Sequence, residues 1–168
     1  MKQDCCILIH YHEIALKGKN RSWFERQLID NIKHQLSGLP YSKVHLTAAR
    51  IFCFGIDKSL WNGYASRLKK VMGIKHAILM DQVASDIDII QTVAANQLEG
   101  LEFSSFRISA RRQYKEFHLS SQKINQVVGQ YIQSIYLKPV KLKEADIDVV
   151  IELVKGMAYI GHQRINGF

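Results

Sequence analysis

The run Arg107-Ile108-Ser109-Ala110-Arg111-Arg112-Gln113-Tyr114-Lys115 places three guanidinium groups and an ammonium group in one short stretch. Read as a strand, it projects Arg107 and Arg111 to one face while Ile108 and Ala110 point to the core. Planar guanidinium forks match phosphate oxygens bidentately, so such a row can grip a nucleic-acid backbone. Lys115 and, further on, Lys123 extend the positive charge. Tyr114, Phe117 and His118 offer a stacking face for an unpaired base. The competing reading is a solvated strand face neutralised by residues 81–102, which hold Asp81, Asp86, Asp88, Glu99 and Glu102 and no base.

A second basic segment, Leu16-Lys17-Gly18-Lys19-Asn20-Arg21, runs into the start of a helix, where backbone N–H groups and the helix dipole favour an anion. It lacks the G-x-x-x-x-G-K-[ST] spacing, so no nucleotide P-loop is expected; an ordinary capped helix with lysines lying along it is the alternative. His10 and His12 share a strand face, but no third or fourth ligand follows at motif spacing. Cys5, Cys6 and Cys53 form neither a CxxC pair nor an even set, and buried inert thiols are expected. No G-x-S-x-G or H-E-x-x-H motif occurs. The residues describe a binding protein: no catalytic residue, metal or cofactor is expected.

Those cations need a scaffold. Cys5 to Tyr11 is a nearly continuous apolar run that suits a buried strand. Ser22-Trp23-Phe24-Glu25 has the spacing of a capping box, with Asn20 as a competing cap. Phe24, Leu28, Ile32 and Leu36 then form one helical stripe, stopped by Gly38-Leu39-Pro40. Val44 and Leu46, then Ile51 to Ile56, predict a hairpin. Leu60, Tyr64, Leu68 and Val71 predict a second helix ended by Gly73, and Ile74 to Met80 a closing strand. This β-α-β-β-α-β order is the ferredoxin-like arrangement.

The second half starts with a helix capped by Ser85, whose apolar face is Ile87, Ile90, Ala94 and Leu98, stopped by Gly100. The arginine strand follows. A further helix, starting at Ser120 or Ser121, carries Ile124, Val128, Tyr131 and Ile135 and ends before Pro139. Ile147 to Leu153 alternate as a strand, and Lys155-Gly156 turns into a last one through Tyr159 and Ile160. The fold class is α+β, with residues 1–80 as a ferredoxin-like domain and 81–168 as a second α/β domain.

At 168 residues, 47% hydrophobic and 23% charged, the chain has the composition of a folded protein. Its longest apolar runs fall well short of a membrane span, and the cytoplasm is the expected compartment. The net charge of +8 is unevenly spread: residues 1–80 hold 13 basic and 5 acidic residues, whereas 81–168 hold 10 of each. Such sorting favours a polyanionic partner.

The run Tyr11-His12-Glu13-Ile14-Ala15-Leu16-Lys17-Gly18-Lys19-Asn20-Arg21, followed by Phe24-Glu25, resembles the opening of the tRNA 4-thiouridine synthases, also called thiamine-biosynthesis sulfurtransferases. Ala49-Arg50-Ile51 and Val71-Met72-Gly73-Ile74 fit the same N-terminal domain. Ala110-Arg111-Arg112 with Lys115, Phe117, Ser121, Ile124-Asn125 and Val128-Gly129 resembles the THUMP domain that follows it, as does Asp146-Ile147-Asp148-Val149. His12 stands where the family has glycine. The resemblance implies tRNA binding, with THUMP holding the acceptor stem and its 3′ CCA end. In the family a PP-loop domain then adenylates a uridine and a persulfide delivers sulfur. Neither the SGGxDS-type loop nor the rhodanese cysteine is among these residues, so no catalytic position carries over.

The expectation is a stand-alone or truncated tRNA-binding module that presents tRNA to a separate PP-loop adenylating or sulfur-carrier protein. Arg107, Arg111, Arg112, Lys115 and Lys123 would contact RNA from the second domain, with Lys17, Lys19, Asn20, Arg21 and Arg50 contributing from the first. Two alternatives belong to other classes: an acylphosphatase-like hydrolase using Arg21, and a sheet-edge homodimerisation or regulatory module.

Overall fold

The computed structural model describes residues 4–12 and 20–167, which fall into two compact units: one of residues 5–79 and 163–167, the other of residues 4 and 80–162. In the first, strand β1 (Asp4–Tyr11) buries Cys6, Ile7, Leu8 and Ile9 completely. Helix α1 (Arg21–Gln35) follows, then a hairpin of β2 (Lys43–Thr47) and β3 (Arg50–Phe54). A 3-10 turn at Lys58–Leu60 leads into α2 (Trp61–Leu68), and β4 (Ile74–Ala84) supplies residues 74–79. The strand order is β2-β3-β1-β4, with β3 antiparallel to both β1 and β2. This is the ferredoxin-like arrangement. One face of the sheet carries both helices: Leu28, Ile32, Leu36, Trp61, Tyr64 and Leu68 pack with Ile7, Ile9, Ile51 and Cys53 in one core. Gly167 donates its N–H to the Lys75 carbonyl at 2.9 Å, which ties this segment to β4.

Two local expectations are corrected here. The capping box does not form: Asn20 holds the N-cap position without a side-chain bond. Glu25 is instead buried on the inward face of α1, where its carboxylate accepts from the Tyr11 hydroxyl at 2.5 Å. The inward stripe of α2 begins at Trp61, not Leu60, because Leu60 belongs to the preceding 3-10 turn and is exposed. Gly73 is required twice over. Its φ is +97°, and an added Cβ would meet the Phe24 ring at 2.9 Å.

In the second unit, helix α3 (Ile87–Gln97), strand β5 (Phe106–Arg112), helix α4 (Ser121–Tyr136), and strands β6 (Ile147–Val154) and β7 (Met157–Asn166) follow residues 80–84 of β4. The strand order is β4-β7-β6-β5, so β5 ends the row. It runs parallel to β6, which pairs antiparallel with β7. Ile90, Val93, Ala94 and Leu98 of the α3 segment and Ile124, Val128 and Ile132 of α4 pack with Phe106, Ile108, Val149, Ile151, Leu153 and Ile160.

The cap of α3 is Asp86, whose carboxylate accepts from the N–H groups of Asp88 and Ile89, and not Ser85. A carboxylate there also complements the helix dipole. Ile132 takes the inward place expected of Ile135, which is half exposed at the helix end. Ser120 caps α4 through the Lys123 N–H, as expected. β7 extends past Ile160 to Asn166.

Candidate nucleic-acid interface

Strand β5 turns Phe106 and Ile108 into the core and leaves Arg107 and Arg111 on the other face. Arg111 is exposed, and its side chain makes no hydrogen bond or ion pair with a described residue. Arg107 is partly exposed. Its Nη1 donates to the Leu142 carbonyl at 3.0 Å, and its Nε lies 3.7 Å from Asp148 Oδ1. That separation is an ion pair without a hydrogen bond; the Ser109 hydroxyl takes the same oxygen at 2.6 Å.

Arg112 is half buried and donates to the Phe117 carbonyl at 3.1 Å, tying down the loop after the strand. It has a structural duty as well as its charge. Lys115 in that loop and Lys123 in the first turn of α4 are exposed. These five cations, Arg107, Arg111, Arg112, Lys115 and Lys123, all belong to the second unit.

The neutralising partner foreseen for the row is not the one found. Asp81 accepts from the Gln97 side chain at 2.8 Å and Asp86 caps α3. The carboxylate beside the row is Asp148, brought opposite Arg107 by the β5–β6 register.

The stacking platform is also smaller than expected. Phe117 is buried in the second core and Tyr114 packs against that core. His118 is exposed, its ring centroid 4.8 Å from that of Phe117.

In the first unit, Asn20 and Arg21 lie exposed at the start of α1, with Arg21 Nε 3.5 Å from Glu25. Lys17 and Lys19 fall outside the described residues. Arg50 departs from the expectation of an outward cation. It is buried, and its Nη1 donates to the Ala48 carbonyl at 2.9 Å across its own hairpin turn. Sequence reasoning passed over Trp23, which is 58% exposed within one turn of Arg21 and Arg26; its place in the capping pattern hid it.

The free edge of β5 is partly covered. The Phe106 N–H donates to the Pro139 carbonyl, and the Ala110 N–H to Asn125 Oδ1 at 2.9 Å. What the strand offers a partner is therefore its side chains rather than an open backbone ladder. Among the described residues no group of three or more His, Cys, Asp or Glu is placed to hold a metal ion. No helix among them is long and apolar enough to cross a membrane.

Two family profiles match the chain: the ThiI ferredoxin-like domain over residues 6–77 and the THUMP domain over residues 84–163. A probable tRNA sulfurtransferase of Thermoanaerobacter sp. strain X514 is 35% identical over 167 residues, covering 96% of this chain and 42% of that protein. Its counterpart in Thermus thermophilus is 29% identical over 157 residues, covering 94% and 38%. The chain thus spans about two fifths of the length of these curated relatives. The crystal structure of PH1313 from Pyrococcus horikoshii superposes with a TM-score of 0.84 at 31% identity, over 98% of this chain and 56% of that one. A 4-thiouridine synthetase solved with RNA and bound ATP gives 0.77 at 27% identity, over 99% and 43%. By both of its domains, the chain belongs to the ferredoxin-like plus THUMP family that it shares with the tRNA sulfurtransferases.

Proposed function

We propose that this chain binds tRNA as the RNA-recognising part of a 4-thiouridine-forming, sulfur-transferring system. The THUMP unit takes the acceptor stem and 3′ CCA end, and the chemistry is supplied by a PP-loop adenylating or sulfur-carrier component. The observation that carries the reading is the outward arginine row on β5. Among the described residues Arg111 has no carboxylate partner, and the carboxylate beside Arg107 is shared with Ser109. The relatives named probable tRNA sulfurtransferases and the RNA-bound 4-thiouridine synthetase support the choice of RNA as the polyanion.

Backbone phosphates held by such side chains set register and orientation, while recognition of the single-stranded end comes from contacts to unstacked bases. The test is binding of deacylated tRNA with and without its 3′ CCA. Loss of the CCA is expected to weaken binding at least tenfold; equal affinity for both would contradict acceptor-end recognition.

A further inference from the structure

Leu137 and Leu142 are 82% and 76% exposed, and both lie in the connection between α4 and β6. Large apolar side chains left this open within one short segment mark a contact surface. The segment Leu137-Lys138-Pro139-Val140-Lys141-Leu142-Lys143 interleaves them with three exposed lysines.

This strap is held firmly at its base. The Phe106 N–H donates to the Pro139 carbonyl at 3.2 Å, and the Lys141 N–H donates to the Phe106 carbonyl at 2.9 Å. Together they make a single parallel bridge between Val140 and Phe106. Arg107 Nη1 holds the Leu142 carbonyl. Past the lysines, Asp146 accepts from the Ser104 N–H at 2.7 Å and hydroxyl at 2.5 Å. Those bonds, with a smaller contribution from the Lys141 charge, hold its carboxyl below the usual range. The lysines therefore project from a backbone already fixed against the start of β5, and little ordering remains to be done on binding. Beside Lys138 lies an open cleft of about 530 Å³ lined also by Leu101, Glu102, Phe103 and Ser104.

We propose that this clamped strap is a second RNA-contacting element, joined to the arginine row through Arg107. Lys138, Lys141 and Lys143 bind phosphates, Leu142 packs against an unstacked ribose or base, and the cleft admits an unpaired base. The proposal rests on the tRNA reading above and deepens it. Lysine is depleted from the cores of protein–protein interfaces, whereas three in seven residues beside an arginine row suit a phosphate backbone. Apolar side chains at nucleic-acid surfaces serve as wedges against bases.

The experiment measures tRNA affinity of the full chain across a salt series for three variants: Lys138→Ala/Lys141→Ala/Lys143→Ala, Leu142→Ser and Arg111→Ala. For the lysine triple variant the log–log salt slope is expected to fall by about 0.7–0.9 for each phosphate that is no longer neutralised. Leu142→Ser is expected to weaken binding several-fold with the slope unchanged. If the triple variant keeps the wild-type affinity and slope while Arg111→Ala loses them, the strap proposal is overturned, the tRNA reading stands, and the leucines are left to a protein partner. If wild-type binding is measurable and neither the triple variant nor Arg111→Ala changes it, the strap and the arginine row are both overturned as the RNA-binding surface; if the wild-type chain itself binds no tRNA, the tRNA reading falls. Wild-type affinity in Leu142→Ser alone overturns the apolar contact.

Discussion

Arg107 and Asp148 stand opposite each other in the β5–β6 register, with Nε 3.7 Å from Oδ1, and Ser109 donates to the same carboxylate oxygen. Both charged side chains are partly exposed, so the pair contributes at most about 1 kcal/mol to stability. Its larger effect is on the surface potential of the row. Asp148→Asn is expected to raise tRNA affinity about two- to fivefold, the equivalent of a screened unit charge, with little change in melting temperature. Weaker binding by this variant would show that the carboxylate takes part in recognition.

The buried Tyr11–Glu25 pair gives a pH dependence with a defined sign. Burial first, then the hydrogen bond and charge of Glu25, push the Tyr11 hydroxyl up to about 12. An unfolded tyrosine ionises near 10. The folded state thus favours the protonated phenol, and this stabilisation is full below pH 10 and is lost as pH rises towards 12. Unfolding free energy should fall across that window, and fall less in Tyr11→Phe. At neutral pH the same variant should lose about 1–3 kcal/mol, because a buried carboxylate gives up its donor. Urea denaturation at several pH values checks both.

The three thiols differ in reach. Cys5 is half buried, while Cys6 and Cys53 are fully buried. Burial pushes the Cys53 thiol up to about 12, which starves it of reactive thiolate. With a thiol reagent at pH 8, Cys5 is expected to react first, and Cys6 and Cys53 only as fast as the structure opens. Three equally fast thiols would contradict the packing of β1 and β3.

The β2–β3 hairpin turns through Ala48 and Ala49 at φ +51° and +59°, the left-handed region that two-residue hairpin turns require and that L residues resist. Ala49→Gly relieves that strain at a smaller entropic cost and is expected to stabilise the protein by about 0.5–1 kcal/mol, read as a higher urea midpoint at unchanged slope.

Much of this architecture was legible in the sequence because one periodicity dominates each element. The run from Cys5, the Leu28–Ile32–Leu36 stripe and the Phe106–Ile108 alternation all fix which face is buried. Competition between local and tertiary partners was not legible. Glu25 has the spacing to cap its own helix, yet Tyr11, far away in sequence, takes its carboxylate. Arg50 was expected to point outward as a cation, yet it turns back on a strained hairpin. For the candidate site, alternation placed Arg107 and Arg111 outward. The pairing of Arg107 with Asp148 depended on β6 lying parallel to β5, which no pattern within either strand encodes. The strap was invisible for a similar reason: its clamps are the backbone of Phe106, the Arg107 side chain and Ser104, all far from it in sequence.

Arg111 offers the most direct test, because it is exposed, outside the core and, among the described residues, without an ion-pair partner. The measurement is the salt dependence of tRNA binding by the wild-type chain and by Arg111→Ala. The wild type is expected to lose affinity steeply as salt rises. The variant should bind more weakly at low salt, with a log–log slope shallower by about 0.7–0.9 and an unchanged melting temperature. Parallel lines of equal affinity for the two proteins would contradict the assignment of this strand as the RNA-binding surface.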